Sequence, residues 1–457
     1  MTSDDPRDAA ALSRLRELIR IPTVSPLSPG TDAEAGAVAS ADWSPFDSFA
    51  AALERLYPAI HRALAREFVA GHTLLFRWAG REPGPASVLM AHYDVVPATN
   101  EGWSHPPFAA EVTGSGADRV LWGRGTLDNK GSATTILEAA ETAAASGFTP
   151  RHDVYLLFGH DEETAGTGAE AVVALLQERG VTVGFVLDEG GAVVEKLFPT
   201  VDVPIAVVGV SEKGTTSFTL TVEQQGGHAS TPPRLTATAR LARAIVRVTA
   251  RPFRARFNAV TERMIRTVGA HGRGPLKFVF TRVRVFRPLL VAVFARMSDE
   301  TAAIVRTTVA VTQLSAGLAA NALAERAQAV LNVRIAIGST VEQTRRHLER
   351  AIADPLVRVE ILSGNDPAPV SRMDGPAWTM LADAITAAYP TAVVTPYVQT
   401  GATDSRQFAR ISRTVYRFSP FEMSAEERGT LHAKNERMHV QTFFTGIRFY
   451  DGLITRL

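Results

Sequence analysis

The 457 residues contain no cysteine. Disulfides, thiolate metal sites and cysteine nucleophiles are excluded at once, and so is any fold that depends on disulfide staples. Long hydrophobic runs are lacking as well. The apolar stretch Leu289 to Ala295 is far shorter than the roughly 20 residues that span a bilayer. The N-terminal residues Met1-Thr-Ser-Asp-Asp-Pro-Arg-Asp-Ala-Ala are polar and acidic, unlike a signal peptide, so a cytoplasmic protein is expected. There is no excess charge of either sign: 48 Lys and Arg stand against 47 Asp and Glu, a net of +1. Nothing global therefore points to nucleic acid as a partner. What remains is a globular composition, 46% hydrophobic and 21% charged, in a chain long enough for two or three domains.

The first 210 residues alternate strand and helix patterns. Asp8 to Ile21 has amphipathic helical spacing ended by Pro22, residues 25 to 42 read as a loop, and Ser44 to Glu67 is helical again. Thr73 to Trp78, Ser87 to Ala91, Asp153 to Phe158 and Phe185 to Leu187 are short apolar runs of buried-strand type. Ser132 to Ala145 and Ala169 to Arg179 are helical. This alternation predicts an α/β catalytic domain with a mostly parallel sheet. The pattern changes near residue 210. Thr215 to Glu223 alternates polar and apolar with period two, the mark of a half-exposed antiparallel strand. Residues 211 to 365 are expected to form an inserted α+β domain, and residues 366 to 457 to complete the first.

Within the insert, residues 251 to 298 carry eleven Lys and Arg against Glu262 alone. The simpler reading is a helical insertion packed on the inserted domain, with solvated arginines. The sharper one is a patch for anionic lipid or another acidic partner.

Three stretches put ligand-type side chains at the end of an apolar run, and two further sites join them. His92-Tyr-Asp94 places two polar groups on one side of an extended chain, suited to His92 on a metal with Asp94 orienting its ring. Asp128 sits in a turn with Gly123, Gly125 and Gly131, where a carboxylate could bridge two cations. Glu162 and Glu163 are adjacent acids after a buried strand, which repel unless a positive charge is near. A division of labour resolves the conflict: Glu163 binds metal and Glu162 serves as a base. Asp188 and Glu189 repeat the pattern of strand, acids and glycines. His432 is a distant histidine whose weight comes from the other four.

Together, His-Tyr-Asp-Val-Val-Pro, Trp-Gly-Arg-Gly-Thr-Leu-Asp-Asn-Lys-Gly, Asp-Glu-Glu-Thr, Leu-Asp-Glu-Gly-Gly, Gly-Gly-His-Ala-Ser, Gly-Ala-Thr-Asp-Ser-Arg and Leu-His-Ala-Lys-Asn-Glu-Arg resemble the zinc-dependent aminoacylase/carboxypeptidase metallopeptidase family. They look most like its Gly-Xaa carboxypeptidase and N-acyl amino acid hydrolase branch. The resemblance implies two divalent cations, zinc first, with cobalt or manganese as alternatives. His92 with Asp188 or Glu189 would hold one, with Asp188 preferred. Glu163 and His432 would hold the other, Asp128 would bridge, and Glu162 would be the general base. The inserted domain would act as a lid and a homodimer surface. From it, His228 would stabilise the oxyanion and Asn321 and Arg334 would supply polar groups. Thr403, Asp404, Ser405 and Arg406 would form a substrate-side loop, with Arg334 and Arg406 the candidates for a substrate carboxylate.

The expectation is a dinuclear hydrolase that cleaves an amide bond next to a free carboxylate, in small peptides or N-acyl amino acids. Two rivals are a metal-free binding relative that keeps the fold, and a hydrolase of lipid-like amides at a membrane surface.

Overall fold

The computed structural model describes residues 5–25, 42–195 and 201–457. The loop expected at 25 to 42 falls almost wholly outside them. At the centre lies a ten-stranded, mostly parallel sheet. Its middle is the Ala86–His92 strand, buried throughout and paired in parallel with Val154–Gly159 on one side and Val183–Asp188 on the other. Continuous apolar runs suit such strands because both faces are covered. Alternation then sorts the side chains. Leu89 and Ala91 face a core that contains Phe49, Leu53, Ile136, Leu137, Tyr450 and Leu453. Val88 and Met90 face the opposite core with Val172, Val173 and Leu176. The helices Ser44–Leu56, Lys130–Ala145 and Val440–Ile454 thus cover one face, and Gly168–Glu178 the other. All three central strands run the same way, so their C-terminal ends emerge at one edge of the sheet.

The chain leaves this sheet after Ile205–Glu212 and returns at Val393–Gln399, which pairs in parallel with that same strand. Between them stands a four-stranded antiparallel sheet. Thr308–Ala316, Arg326–Ile335, Gly214–Glu223 and Arg358–Gly364 follow in spatial order. One face of it packs on the helices Ala237–Ala250 and Val341–Ile352 through Phe218, Leu220, Leu241, Leu331, Val333 and Leu348.

Two local expectations are corrected. Ser44 to Glu67 is not one helix. It breaks where Tyr57 leaves helical geometry before Pro58, whose ring disfavours a helical residue ahead of it. After Pro58–Ala63 the chain turns extended, and Ala65–Val69 pairs with Thr73–Trp78. The basic insertion is helical, as the simpler reading held, and its first residues do pack on the inserted domain, with Phe253 stacked on His347, but its helices cover the main sheet. Met264, Ile265, Val268, Phe280, Leu290 and Phe294 share a core with Ile205, Val207 and Phe421 of the main sheet. The Ala259–Ala270 helix lies along the Val393–Gln399 strand. That edge of the sheet is apolar, and covering it contributes more than solvating it.

Candidate metal centre and active site

His92 is the last residue of its strand and is buried with Asp94. Its Nδ1 lies 3.0 Å from the Asp94 carbonyl oxygen and 3.2 Å from Asp94 Oδ1. Its Nε2 points the other way, 3.1 Å from Asp128 Oδ1 and 3.5 Å from Glu189 Oε1. Asp94 is fixed in turn: the Ser25 hydroxyl donates to its Oδ2 at 2.6 Å and the Glu163 N–H at 3.1 Å. One carboxylate therefore orients the ring and seats the backbone of the next acid.

Asp128 reaches inward from a tight turn. Gly125 has φ +89, and a Cβ on Gly131 would stand 2.1 Å from the Thr126 carbonyl oxygen. No other residue fits there without moving the backbone. The turn closes around Glu436, which the Gly125, Leu127 and Asp128 N–H groups contact at 3.1, 2.9 and 3.2 Å. Arg124 pairs with the other Glu436 oxygen at 2.5 Å. The same C-terminal loop carries His432, whose Nε2 lies 2.8 Å from Asp128 Oδ2 and 3.1 Å from Glu163 Oε2.

The result is two groups of donor atoms, His92–Asp128–Glu189 and Asp128–Glu163–His432, each within 4.8 Å. Asp128 belongs to both, one oxygen to each. Glu163 Oε1 is buried with no hydrogen-bond partner among the described residues. Imidazole and carboxylate are the donor set of hydrolytic zinc, cobalt or manganese sites, and the unpartnered Glu163 oxygen is a donor a cation would use. The residues fit two cations.

Electrostatics agree. Burial pushes Glu189 up to about 7 against the pull of His92, and pushes Glu162 and Asp404 well above the ordinary carboxylate range. Hydrogen bonds to Asp128 and Glu163 raise His432 to about 10. Burial lowers His92, yet Glu189, Asp128 and Asp94 leave it raised well above its usual value. Divalent ions bound here would favour the charged carboxylates and neutral imidazoles, so metal and protons would compete for the cluster. Glu162 belongs to neither donor group, which leaves its carboxylate available as a base.

The other expected residues sort unevenly. The preferred Asp188 does not join the cluster. Its Oδ2 accepts the Ser405 N–H at 2.9 Å, while Glu189 Oε1 lies 3.5 Å from His92 Nε2. Thr403 is buried with its hydroxyl committed to Glu212 at 2.6 Å and Ser405 at 2.8 Å, inside a network that contains Arg417. It is not turned out as a substrate group. His228 is exposed, and its Nδ1 faces the Ser230 N–H and hydroxyl at 3.1 and 2.7 Å. Asn321 is exposed and receives the Ala229 N–H on its carbonyl oxygen. Arg334 is half-buried, and burial and the charge of Arg406 lower its pKa, so the two cations share one neighbourhood.

Three positioning groups went unassigned in the sequence. Glu436 with Arg124 locks the Asp128 turn, and Asn129 donates to Glu189. Glu436 lies within the stretch that carries His432, but its partner is 312 residues away and no local spacing links them.

The comparisons with known proteins point the same way. The model of "Peptidase family M20/M25/M40" matches residues 88–456. The human "N-fatty-acyl-amino acid synthase/hydrolase PM20D1" is 34% identical over 96% of this chain and 86% of its own length. Carboxypeptidase S of Saccharomyces cerevisiae is 30% identical over 88% of this chain and 77% of its own. Among solved structures, the M20 family metallo-carboxypeptidase Sso-CP2 of Sulfolobus solfataricus superposes with TM-score 0.67 at 16% identity, over 97% of this chain and 98% of that one. Human carnosine dipeptidase 1 gives 0.64 at 14% identity, over 99% and 97%. With its match across most of the sequence and its strand-end cluster of imidazoles and carboxylates, the chain belongs to peptidase family M20/M25/M40.

Proposed function

We propose that this protein hydrolyses the amide bond between an acyl group and an amino acid that bears a free carboxylate, using two divalent cations. The observation that carries the reading is Asp128, whose two oxygens face His92 and His432 separately. Bound there, the cations would polarise the scissile carbonyl and acidify the attacking water. Glu162 takes the proton from that water and passes it to the departing amine nitrogen as the C–N bond breaks. Asp94 keeps the His92 ring aimed, and Glu436 keeps Asp128 in place. Zinc is the leading cation, with cobalt and manganese as alternatives.

Substrate choice rests on Arg334 and Arg406, which together suit the substrate carboxylate. The relatives, an N-fatty-acyl-amino acid synthase/hydrolase and a carboxypeptidase, bracket the acyl side between fatty-acyl and peptidyl groups, and we assign N-acyl amino acids and small peptides as the substrate class. Residues 211–365 are read as a lid. His228 belongs to it, and an Nδ1 that accepts from the Ser230 N–H leaves Nε2 to carry the proton. That N–H suits a developing oxyanion, delivered by lid closure or from a second copy. A homodimer through the small sheet is supported by exposed Leu314 and Ile361 on its two edge strands. Cytoplasmic location stays part of the proposal. Among the described residues no helix is long and apolar enough to cross a membrane.

The test is a panel of N-acyl amino acids of graded chain length, dipeptides, and matched amides without the carboxylate, offered to zinc-, cobalt- and manganese-loaded protein. Hydrolysis restricted to carboxylate-bearing substrates is expected. Equal cleavage of the uncharged amides, or cleavage of none, would sink the proposal.

A further inference from the structure

The helical insertion has an inner side and an outer side, and only the inner one is accounted for. Met264, Ile265, Phe280, Leu290 and Phe294 are buried against the main sheet. A helix whose outer side simply meets water should be polar there. This one is not. Leu276, Phe278, Val285, Leu289, Val293 and Met297 are each 36% to 72% exposed. Among the described residues these six are two-fifths of the exposed large hydrophobics, gathered in about one-twentieth of the chain, so scatter does not explain them. Leu289, Val293 and Met297 recur every four residues along the Arg287–Met297 helix and form one stripe. The buried pair Leu290 and Phe294 marks the neighbouring stripe, about 100° further round. Phe278 is held in place by the Arg282 guanidinium, 4.0 Å over its ring, and by Phe286.

Charge along the stripe is mostly positive, with Asp299 and Glu300 following its last residue and Glu262 paired with Arg287. From Gly274 to Ser298 there are Lys277, Arg282, Arg284, Arg287 and Arg296, all exposed, and no acid. Residues 251–298 carry eleven cations and one acid, a local +10; with +1 overall, the remaining residues carry −9. The insertion is therefore a cationic segment of an otherwise acidic molecule.

We infer that this face docks on the surface of an anionic lipid bilayer, with the helices Gly274–Thr281 and Arg287–Met297 lying in the headgroup plane. Apolar side chains flanked by Lys and Arg on a short helix are what an interface between headgroups and acyl chains accommodates. A second copy would bring like charges together across a two-fold axis. An acidic peptide would answer the arginines and leave the apolar stripe in water. The element also reaches the substrate region. The Asp299–Val305 helix that follows it caps the Lys213 ammonium through the Ala303 and Arg306 carbonyls at 3.1 and 2.9 Å, and Lys213 stands beside Arg334. A docked enzyme would hold its proposed carboxylate-binding groups close to amphiphiles in the bilayer. That last step rests on the hydrolase reading; docking itself does not.

The experiment is sedimentation of the full chain with phosphatidylcholine vesicles, with and without phosphatidylserine. Binding to the anionic vesicles alone, released by salt, is expected. K277E/R284E/R296E should weaken it by at least roughly a hundredfold, at about fivefold per cation. L289S/V293S/M297S should weaken it with no change of charge. Both variants should keep wild-type turnover of a water-soluble short-acyl substrate, which separates lost docking from lost folding. Wild type that stays in the supernatant, or variants that bind as wild type does, would overturn the inference. So would a halved solution mass of the Leu289 variant, which would assign the face to a second copy. Vesicle binding without any hydrolysis would remove the proposed activity and leave docking intact.

Discussion

The metal centre and the helical insertion both concentrate charge, and they handle it in opposite ways. At the strand ends, His92, Asp94, Asp128, Glu163 and Glu189 are largely shielded from water and interlocked. Each is expensive to bury alone, so each needs a partner of defined geometry. The partners come from far along the chain: His432 and Glu436 meet a turn some 300 residues earlier. On the insertion, Lys277, Arg284 and Arg296 remain in water, where no partner is required. Buried charge must be organised by the fold, whereas exposed charge is organised by composition alone.

That contrast can be broken or sharpened by perturbing each side. The largest effect should come from chelation. Activity should fall to background and return with zinc, cobalt or manganese, read by amide hydrolysis and metal analysis; full activity in a metal-free sample would end the comparison. Next is Glu162→Gln, expected to lower kcat by about 10²- to 10⁴-fold with metal content unchanged, since this acid stands outside both donor groups. Glu436→Gln should follow. It unpairs the buried Arg124 and slackens the Asp128 turn, for a stability loss of about 3–5 kcal/mol and metal affinity lower by about 10- to 100-fold. Calorimetry and metal titration would report these; an unchanged protein would show that the long-range partner is dispensable. Asp188→Asn and Glu189→Gln divide the fourth position. Metal occupancy should fall for Glu189→Gln and far less for Asp188→Asn, and the reverse order would restore the preference drawn from sequence. The smallest effect belongs to the insertion: Arg284→Ala should move stability by no more than about 0.5 kcal/mol.

Much of the site was legible because strands deliver side chains with a fixed period. A buried run ending in His92, another in Glu162 and Glu163, and a third in Asp188 and Glu189 announced ligands at one sheet edge, and the central strands do emerge together there. Substrate-side residues were less legible. Thr403 looked available in the sequence but is tied to Glu212, which pairs with the equally buried Arg417. The insertion was read correctly as helical, and its first residues meet the inserted domain as expected, but its helices pack on the main sheet. Its helical period shows that one side is apolar and cannot show which other apolar surface will cover it. Pro58 was an available signal that the long helix read at Ser44 to Glu67 must break.

The sequence by itself determined the kinds of donor, their order, the absence of thiol chemistry and the α/β alternation, because these depend on residue identity and local period. Only the tertiary structure decided that Glu189 rather than Asp188 faces His92, that Asp128 divides its oxygens between two histidines, that Glu436 closes the turn beneath it, and that the basic insertion covers the main sheet. Those outcomes depend on which distant groups burial brings together, and a one-residue difference in facing or a partner 300 residues away leaves no mark on local spacing.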